Sequence, residues 1–266
     1  MADLYLTIEE MHGYCIEMLK SISELCEEEK IPYYLVYGTL LGAIRHSGPI
    51  PWDPDIDIYV PENEIGRFVA TVKLKLSNKY WVDYRDEGFI PKPFPRIGLK
   101  GYDTEVLHID VFRMSGLPDK KFQQKLLTKQ GRTLWVLWKA KSIKPSKYYK
   151  NSRRKRIGAT LLKLLAAPFS VGYIIKSIDQ LCAKIDVFST DYVGRVMGQG
   201  AIYDKSYFEK YEIHEYTNYK VRIPSRAEDL LTIMYGNYLE YPSEAYRAEM
   251  MKRSFYIEEL KENQIR

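Results

Sequence analysis

The chain has 266 residues, 45% of them hydrophobic and 28% charged, and its 40 basic and 35 acidic side chains leave a net charge of +5. That is a globular composition, long enough for one large domain or a core with an elaboration, and it excludes a disordered, collagen-like or disulfide-scaffold protein. Cys15, Cys26 and Cys182 show no CxxC or Cys/His ligand spacing, so neither a disulfide framework nor a zinc site is expected, and a reducing, cytoplasmic setting is the simplest. The opening residues carry acids throughout rather than a basic patch before an apolar stretch, which does not read as a signal peptide.

In chain order, residues 7–29 read as an amphipathic helix, because Met11, Cys15, Met18, Ile22 and Leu25 recur at steps of three and four. Pro32 closes that run, YYLVYG reads as a buried strand leading to Gly38, and LLGAIRH continues as a short helix. SGPIPW is a loop, and DIDIYV alternates as a half-buried strand does. Residues 62–78 are predicted helical. PRIGLKG, with Arg96 and Lys100, reads as a solvated loop, and VLHIDVFRM as a further strand with His108, Asp110 and Phe112 on one face. The latter half is predicted mostly helical, with turns at Ile223-Pro224-Ser225 and Tyr241-Pro242.

Charge divides the chain. From Lys120 to Ile178 there are 16 Lys and Arg and no Asp or Glu. Within that stretch a basic run precedes ATLLKLLAAPFSVGYII, which Pro168, Gly172 and Lys163 break too often for a membrane span. Three readings stay open: a solvated face with a buried helical hairpin, a surface that lies on an anionic bilayer, and a nucleic-acid contact using Tyr148 and Tyr149 among the cations. No nucleic-acid motif supports the last. The expected division is a catalytic core at 1–119, a basic, apolar helical insertion at 120–178, and a C-terminal helical part at 179–266.

The chemistry concentrates in YGTLLGAIRHSGPIPWDPDIDIYV. In an extended strand Asp55 and Asp57 project from one face, and paired carboxylates of this kind suit Mg²⁺ or Mn²⁺. Asp110, if its strand lies adjacent, adds a third carboxylate and completes a phosphoryl-transfer site. Solvent-facing acids on edge strands are the plainer alternative. Gly38 and Thr39 sharpen the functional one, since a Gly-Thr turn at a helix start can offer N–H groups and a hydroxyl to phosphate.

The order of these parts, GTLLGAIRH then PWDPDIDI, then IDVF, then RIPSRAEDLLTIMYGNYLEYP near the end, resembles the LicD family. Its members look like nucleotidyltransferases and include bacterial phosphocholine transferases, with fukutin-type proteins as distant relatives. One departure is Pro54, which interrupts the family's run of acids between Asp53 and Asp55 and stiffens the loop entry, leaving Asp53 as a supporting or turn-forming acid.

The resemblance implies an α/β (α+β) fold with a small mixed nucleotidyltransferase-like sheet flanked by helices. It also implies a CDP-choline donor, Mg²⁺ or Mn²⁺ at Asp55, Asp57 and Asp110, and a glycan acceptor such as lipopolysaccharide or teichoic acid. Asp110 would hold the metal or accept the proton of the attacking hydroxyl. Arg45 is the first choice for a phosphate clamp, with a surface Arg capping the short helix as the alternative, and Trp52 for an aromatic choline contact, with packing of its loop against the core as the alternative. Ribitol phosphate, glycerol phosphate and phosphoethanolamine are alternative cargoes. A lipid-linked acceptor would put the basic middle on the inner membrane face. The reading of another class is a basic adaptor for nucleic acid or membrane surfaces.

Overall fold

The computed structural model describes residues 4–85, 87, 91–102, 107–142, 153–198 and 200–257. Tyr148 and Tyr149 lie outside the described residues. A short strand, β1 (Leu4–Thr7), leads into α1 (Ile8–Glu28). Thr7 Oγ1 accepts the Glu10 N–H at 3.2 Å while Glu10 Oε2 accepts the Thr7 N–H at 2.8 Å, a reciprocal cap that fixes where the helix starts. All five residues of the predicted apolar stripe are buried.

Next come β2 (Tyr34–Leu35), α2 (Tyr37–His46), β3 (Ile56–Pro61), α3 (Glu62–Lys75), β4 (Tyr80–Arg85), β5 (Lys92–Leu99) and β6 (His108–Leu117). Helices α4 (Lys121–Ser142), α5 (Arg153–Leu165) and α6 (Val171–Cys182) precede β7 (Tyr192–Arg195), β8 (Ala201–Asp204), β9 (Tyr211–Tyr216) and β10 (Tyr219–Pro224). The described chain closes with α7 (Ala227–Tyr235), α8 (Glu244–Met251) and β11 (Ser254–Ile257), which pairs with β1.

The central sheet has seven strands, larger than expected, in the order β2-β3-β6-β5-β4 with β7 and β8 joined to it through β6. Among the described residues only β3 and β6 pair in parallel within it. Their inward residues Ile56, Ile58, Val60, Ile109 and Val111 are all buried, as strands covered by helices must be.

Two expectations are corrected. PRIGLKG is not a solvated loop, because Arg96, Ile97 and Gly98 lie in β5 and pair with Asp110, Ile109 and His108. The stretch after α6 is not helical: β7 to β10 occupy it, the last two as an antiparallel hairpin closed at Thr217, whose φ is +60°. Among the described residues of the latter half, helical structure dominates from α4 to α6 and in α7 and α8.

The basic middle is split in behaviour. Helix α6 buries Ile174, Ile175 and Ile178 in a second core with Leu127 of α4 and Val196. Helix α5 does not share this burial: Ile157, Leu161, Leu164 and Leu165 stay 51% to 72% exposed. Half of the expected buried hairpin is therefore an uncovered apolar face. All three cysteines are free and buried, and burial pushes the Cys15 and Cys26 thiols up to about 12.

Candidate active site

The parallel pairing of β3 with β6 places Asp57 directly beside Asp110. Alternation along each strand turns both side chains to the face opposite the buried Ile56, Ile58, Ile109 and Val111. Asp55 precedes β3 by one residue and sits exposed at the rim. The structure thus brings the three predicted acids to one region.

Their electrostatics differ. Burial, reinforced by the charges of Asp110, Asp55 and Asp53, pushes Asp57 well above the ordinary carboxylate range, while Arg195 opposes the rise. Desolvation and the charges of Asp53 and Asp110 push Asp55 up to about 6, and its contact with water at the rim tempers that shift. Asp110 moves the other way. Burial would raise it, but His108, Arg96 and Lys92 hold it below its ordinary value. At neutral pH that work falls to the two cations, because burial pushes His108 itself down to about 4.

Arg96 is the residue that sequence reasoning placed elsewhere. Its Nε donates to Asp110 Oδ1 at 2.7 Å and a terminal nitrogen to Oδ2 at 3.3 Å, a bidentate clamp. Strand pairing alone creates this contact, since Arg96 is the register partner of Asp110. Lys100 lies away from the acids, with Nζ donating to the Ser77 carbonyl at 3.3 Å.

Gly38 and Thr39 fall inside the first turn of α2 rather than before it. Thr39 is buried, and its Oγ1 accepts the Asp57 N–H at 2.7 Å, so the hydroxyl oxygen steadies the acidic strand. A Cβ on Gly38 would stand 2.3 Å from Asp53 Oδ2, so only glycine permits that carboxylate to lie against the helix start. Asp53 supports the site in this way, and its carbonyl meets His12 Nε2 at 2.7 Å.

Arg45 and Trp52 belong to a neighbouring cleft of about 500 Å³, also lined by Gly38, Asp53, Tyr235 and Tyr241. Arg45 donates to the carbonyls of Tyr238 at 2.8 Å and Glu240 at 3.3 Å, and its guanidinium lies 4.5 Å from the Tyr241 ring centre. It therefore ties α2 to the C-terminal segment. Trp52 packs edge-on to His46, and the guanidinium groups of Arg45 and Arg247 lie 5.8 and 5.4 Å from its ring.

The donor set available here is carboxylate oxygen. Among the described residues no three His, Cys, Asp or Glu side chains are already spaced as a metal cage. Asp57 nevertheless fits a hard divalent cation, because a half-buried carboxylate crowded by three others retains its charge only with a cation beside it.

The LicD/FKTN/FKRP nucleotidyltransferase-domain family matches residues 30–155, which span α2, the acidic strand β3 and β6. The lipopolysaccharide cholinephosphotransferase LicD of Haemophilus influenzae is 29% identical over 255 residues, covering 90% of this chain and 94% of that protein. Uncharacterized proteins of Rickettsia prowazekii and Rickettsia typhi are each 46% identical over 50 residues, 18% of this chain and 19% and 16% of theirs. The LicD-type match thus covers residues 30–155, and the likeness to the Haemophilus protein extends over 90% of the chain.

Proposed function

We propose that the protein is a metal-dependent transferase that moves phosphocholine from CDP-choline to a hydroxyl of a lipopolysaccharide-type glycan. The observation that carries this reading is the in-register placement of Asp57 beside Asp110 in a chain that aligns over 90% of its length with a cholinephosphotransferase. In the reaction the acceptor oxygen attacks the phosphorus that bears choline, the bond to the cytidylate phosphate breaks, CMP leaves with the electron pair, and the hydroxyl proton passes to a carboxylate of the cluster.

Asp55 and Asp57, with Asp110 beside them, would hold the Mg²⁺ or Mn²⁺. When bound, that ion neutralises the donor diphosphate. Asp110, clamped by Arg96, suits a fixed anchor of negative charge better than a proton acceptor. Thr39 keeps the Asp57 backbone in place, and Gly38 admits Asp53 behind it.

A panel of CDP-choline, CDP-ribitol, CDP-glycerol and CDP-ethanolamine, each with Mg²⁺ and acceptor, tests the cargo. CMP release from CDP-choline above the others is expected, and release from a different donor alone overturns the choline assignment. RNA or DNA binding that survives Asp55→Ala, with no CMP release from any donor, would favour the adaptor reading instead. Gly38→Ala should lower turnover on the order of 100-fold by displacing the Asp53 carboxylate, with a far smaller change in melting temperature. Wild-type turnover in that variant would remove Asp53 from the site.

The reading includes contact with a lipid-bound acceptor. No helix among the described residues is long and apolar enough to cross a membrane. On α5, however, Ile157, Leu161, Leu164 and Leu165 recur at helical spacing and stay exposed next to Arg153, Arg154, Lys155 and Lys163. A basic helix with one apolar stripe suits an anionic bilayer surface. The intact protein should float with vesicles containing phosphatidylglycerol, less so in high salt, and a Leu161→Glu, Leu165→Glu double variant should not float. Equal flotation of the two proteins removes the membrane contact.

A further inference from the structure

The face of the sheet that carries the acids continues beyond them. On β6, Phe112 follows Asp110 by two residues and so shares its face. Gly194 of β7 pairs with Ser115, which puts Arg195 on that same face, and the Arg195 guanidinium carbon lies 4.8 Å from the Phe112 ring and 5.2 Å from that of Tyr37. Tyr37 in turn meets the Tyr59 hydroxyl at 2.6 Å, two residues beyond Asp57 on β3. Arg195 therefore stands one row along from the acids, close enough for its charge to bear on Asp57.

Beside it is a second pocket of about 340 Å³, lined by Arg195, Lys139, Trp135, Phe94 and Phe112, with Met197 and Gly198 at its edge. That volume is in the range of small-molecule sites. Gly131 explains how the wall is assembled. A Cβ there would stand 2.2 Å from the Val196 carbonyl oxygen, so glycine lets α4 close against β7, and Trp135 and Lys139 follow at four-residue steps on the same side of the helix.

The pocket is cationic and aromatic. No Asp or Glu lines it among the described residues. Arg195 Nε is buried, and among the described residues it has no hydrogen-bond partner. A half-buried guanidinium set among ring faces with an unpaired Nε has given up water there without gaining an acceptor, which is unfavourable unless a ligand supplies one. Guanidinium and ammonium groups beside flat aromatic walls fit a phosphate joined to a planar ring.

We propose that this pocket receives the nucleoside monophosphate half of the donor, with Arg195 and Lys139 taking its phosphate oxygens and Trp135 walling the base. The assignment rests on the transferase reading for the class of ligand, and it places the leaving group one row from the acids. The cleft around Trp52 is then left for the other half of the reaction.

Equilibrium titration of the full chain with CMP and with inorganic pyrophosphate tests the pocket without turnover. Arg195→Gln should weaken CMP binding roughly 10- to 100-fold, the loss expected for a charge-assisted hydrogen bond, and Arg195→Lys should restore part of it. Lys139 is exposed, so Lys139→Ala leaves folding intact and should weaken CMP binding about 3- to 10-fold. Trp135→Ala should weaken CMP while sparing pyrophosphate. In turnover, Arg195→Gln should raise the donor KM more than it lowers kcat.

CMP binding unchanged in both cation variants overturns the proposal, as does a wild-type protein that binds no CMP. A rise in acceptor KM with donor KM unmoved would assign the pocket to the acceptor and equally overturn it. Loss of CMP release in Asp57→Asn with donor KM unmoved in Arg195→Gln sinks the pocket and leaves the transferase. Arg195-dependent CMP binding without turnover of any donor does the reverse.

Discussion

Asp57→Asn is expected to abolish CMP release while raising the melting temperature of the metal-free protein. Asn keeps the volume and the backbone of β3, including the N–H held by Thr39, so the fold has no reason to rearrange. It removes the charge that Asp110, Asp55 and Asp53 act against. Relief of about 1 kcal/mol raises the melting temperature of a chain this size by about 2–4 °C. The opposite effect falls on catalysis. A divalent ion is worth several kcal/mol of transition-state stabilisation, so losing the carboxylate that fits it best should cost roughly 1000-fold in kcat/KM. Mg²⁺ should then stabilise the wild type and not the variant. Thermal melts with and without Mg²⁺, alongside CMP release, read both effects. Turnover within tenfold of wild type would show that the acids are not the site, and a large fall in stability would make Asp57 structural.

The second large effect concerns the frame behind the acids. Arg113 on β6 is 1% exposed and is satisfied on every side. Its Nε donates to Glu62 Oε2 at 2.7 Å, one terminal nitrogen bonds Glu62 Oε1, and the other bonds the Pro93 carbonyl at 2.9 Å and Asp179 Oδ1. One guanidinium thus joins the start of α3, strand β5 and α6 to the strand that carries Asp110. Arg113→Met leaves the Glu62 carboxylate and the Pro93 carbonyl without their donor and Asp179 with Arg85 alone. Breaking a buried pair from one side costs about 3–5 kcal/mol, which predicts a fall in melting temperature of about 10 °C. Adding Glu62→Leu should recover part of the loss, because the penalty lies in the carboxylate left behind. Equal melting temperatures of wild type and Arg113→Met would show the network to be dispensable. Arg113→Lys should not rescue, since an ammonium cannot span three partners in one plane.

Much of the site could be read before the fold was known, because its parts are local. The stripe of α1 and the alternation of DIDIYV and HIDVF are periodic patterns within a few residues, and they fix which side of each element is apolar. The contribution of Arg96 was hidden for a local reason too: Pro93, Pro95 and Gly98 make the segment look like a loop. In the structure the two prolines fall between the pairs Arg85 with Lys92 and Asp83 with Arg96, where the ladder shifts register and no amide of theirs is needed. The strands β7 to β10 escaped in another way. β7 and β8 have only four residues each and are held by pairing to β6 and to each other, while β9 and β10 are held by pairing to one another.

By itself the sequence determined α1, the two acidic strands, the three candidate acids and the charge division of the chain, since each depends on neighbours a few positions apart. Tertiary structure decided which acid stands beside which, that Arg96 clamps Asp110, that Arg113 braces the strand from behind, and that Arg195 meets Lys139 across a pocket. Those facts depend on the register between separate segments of the chain. Register is set by the burial of whole faces at once, so no single segment carries it.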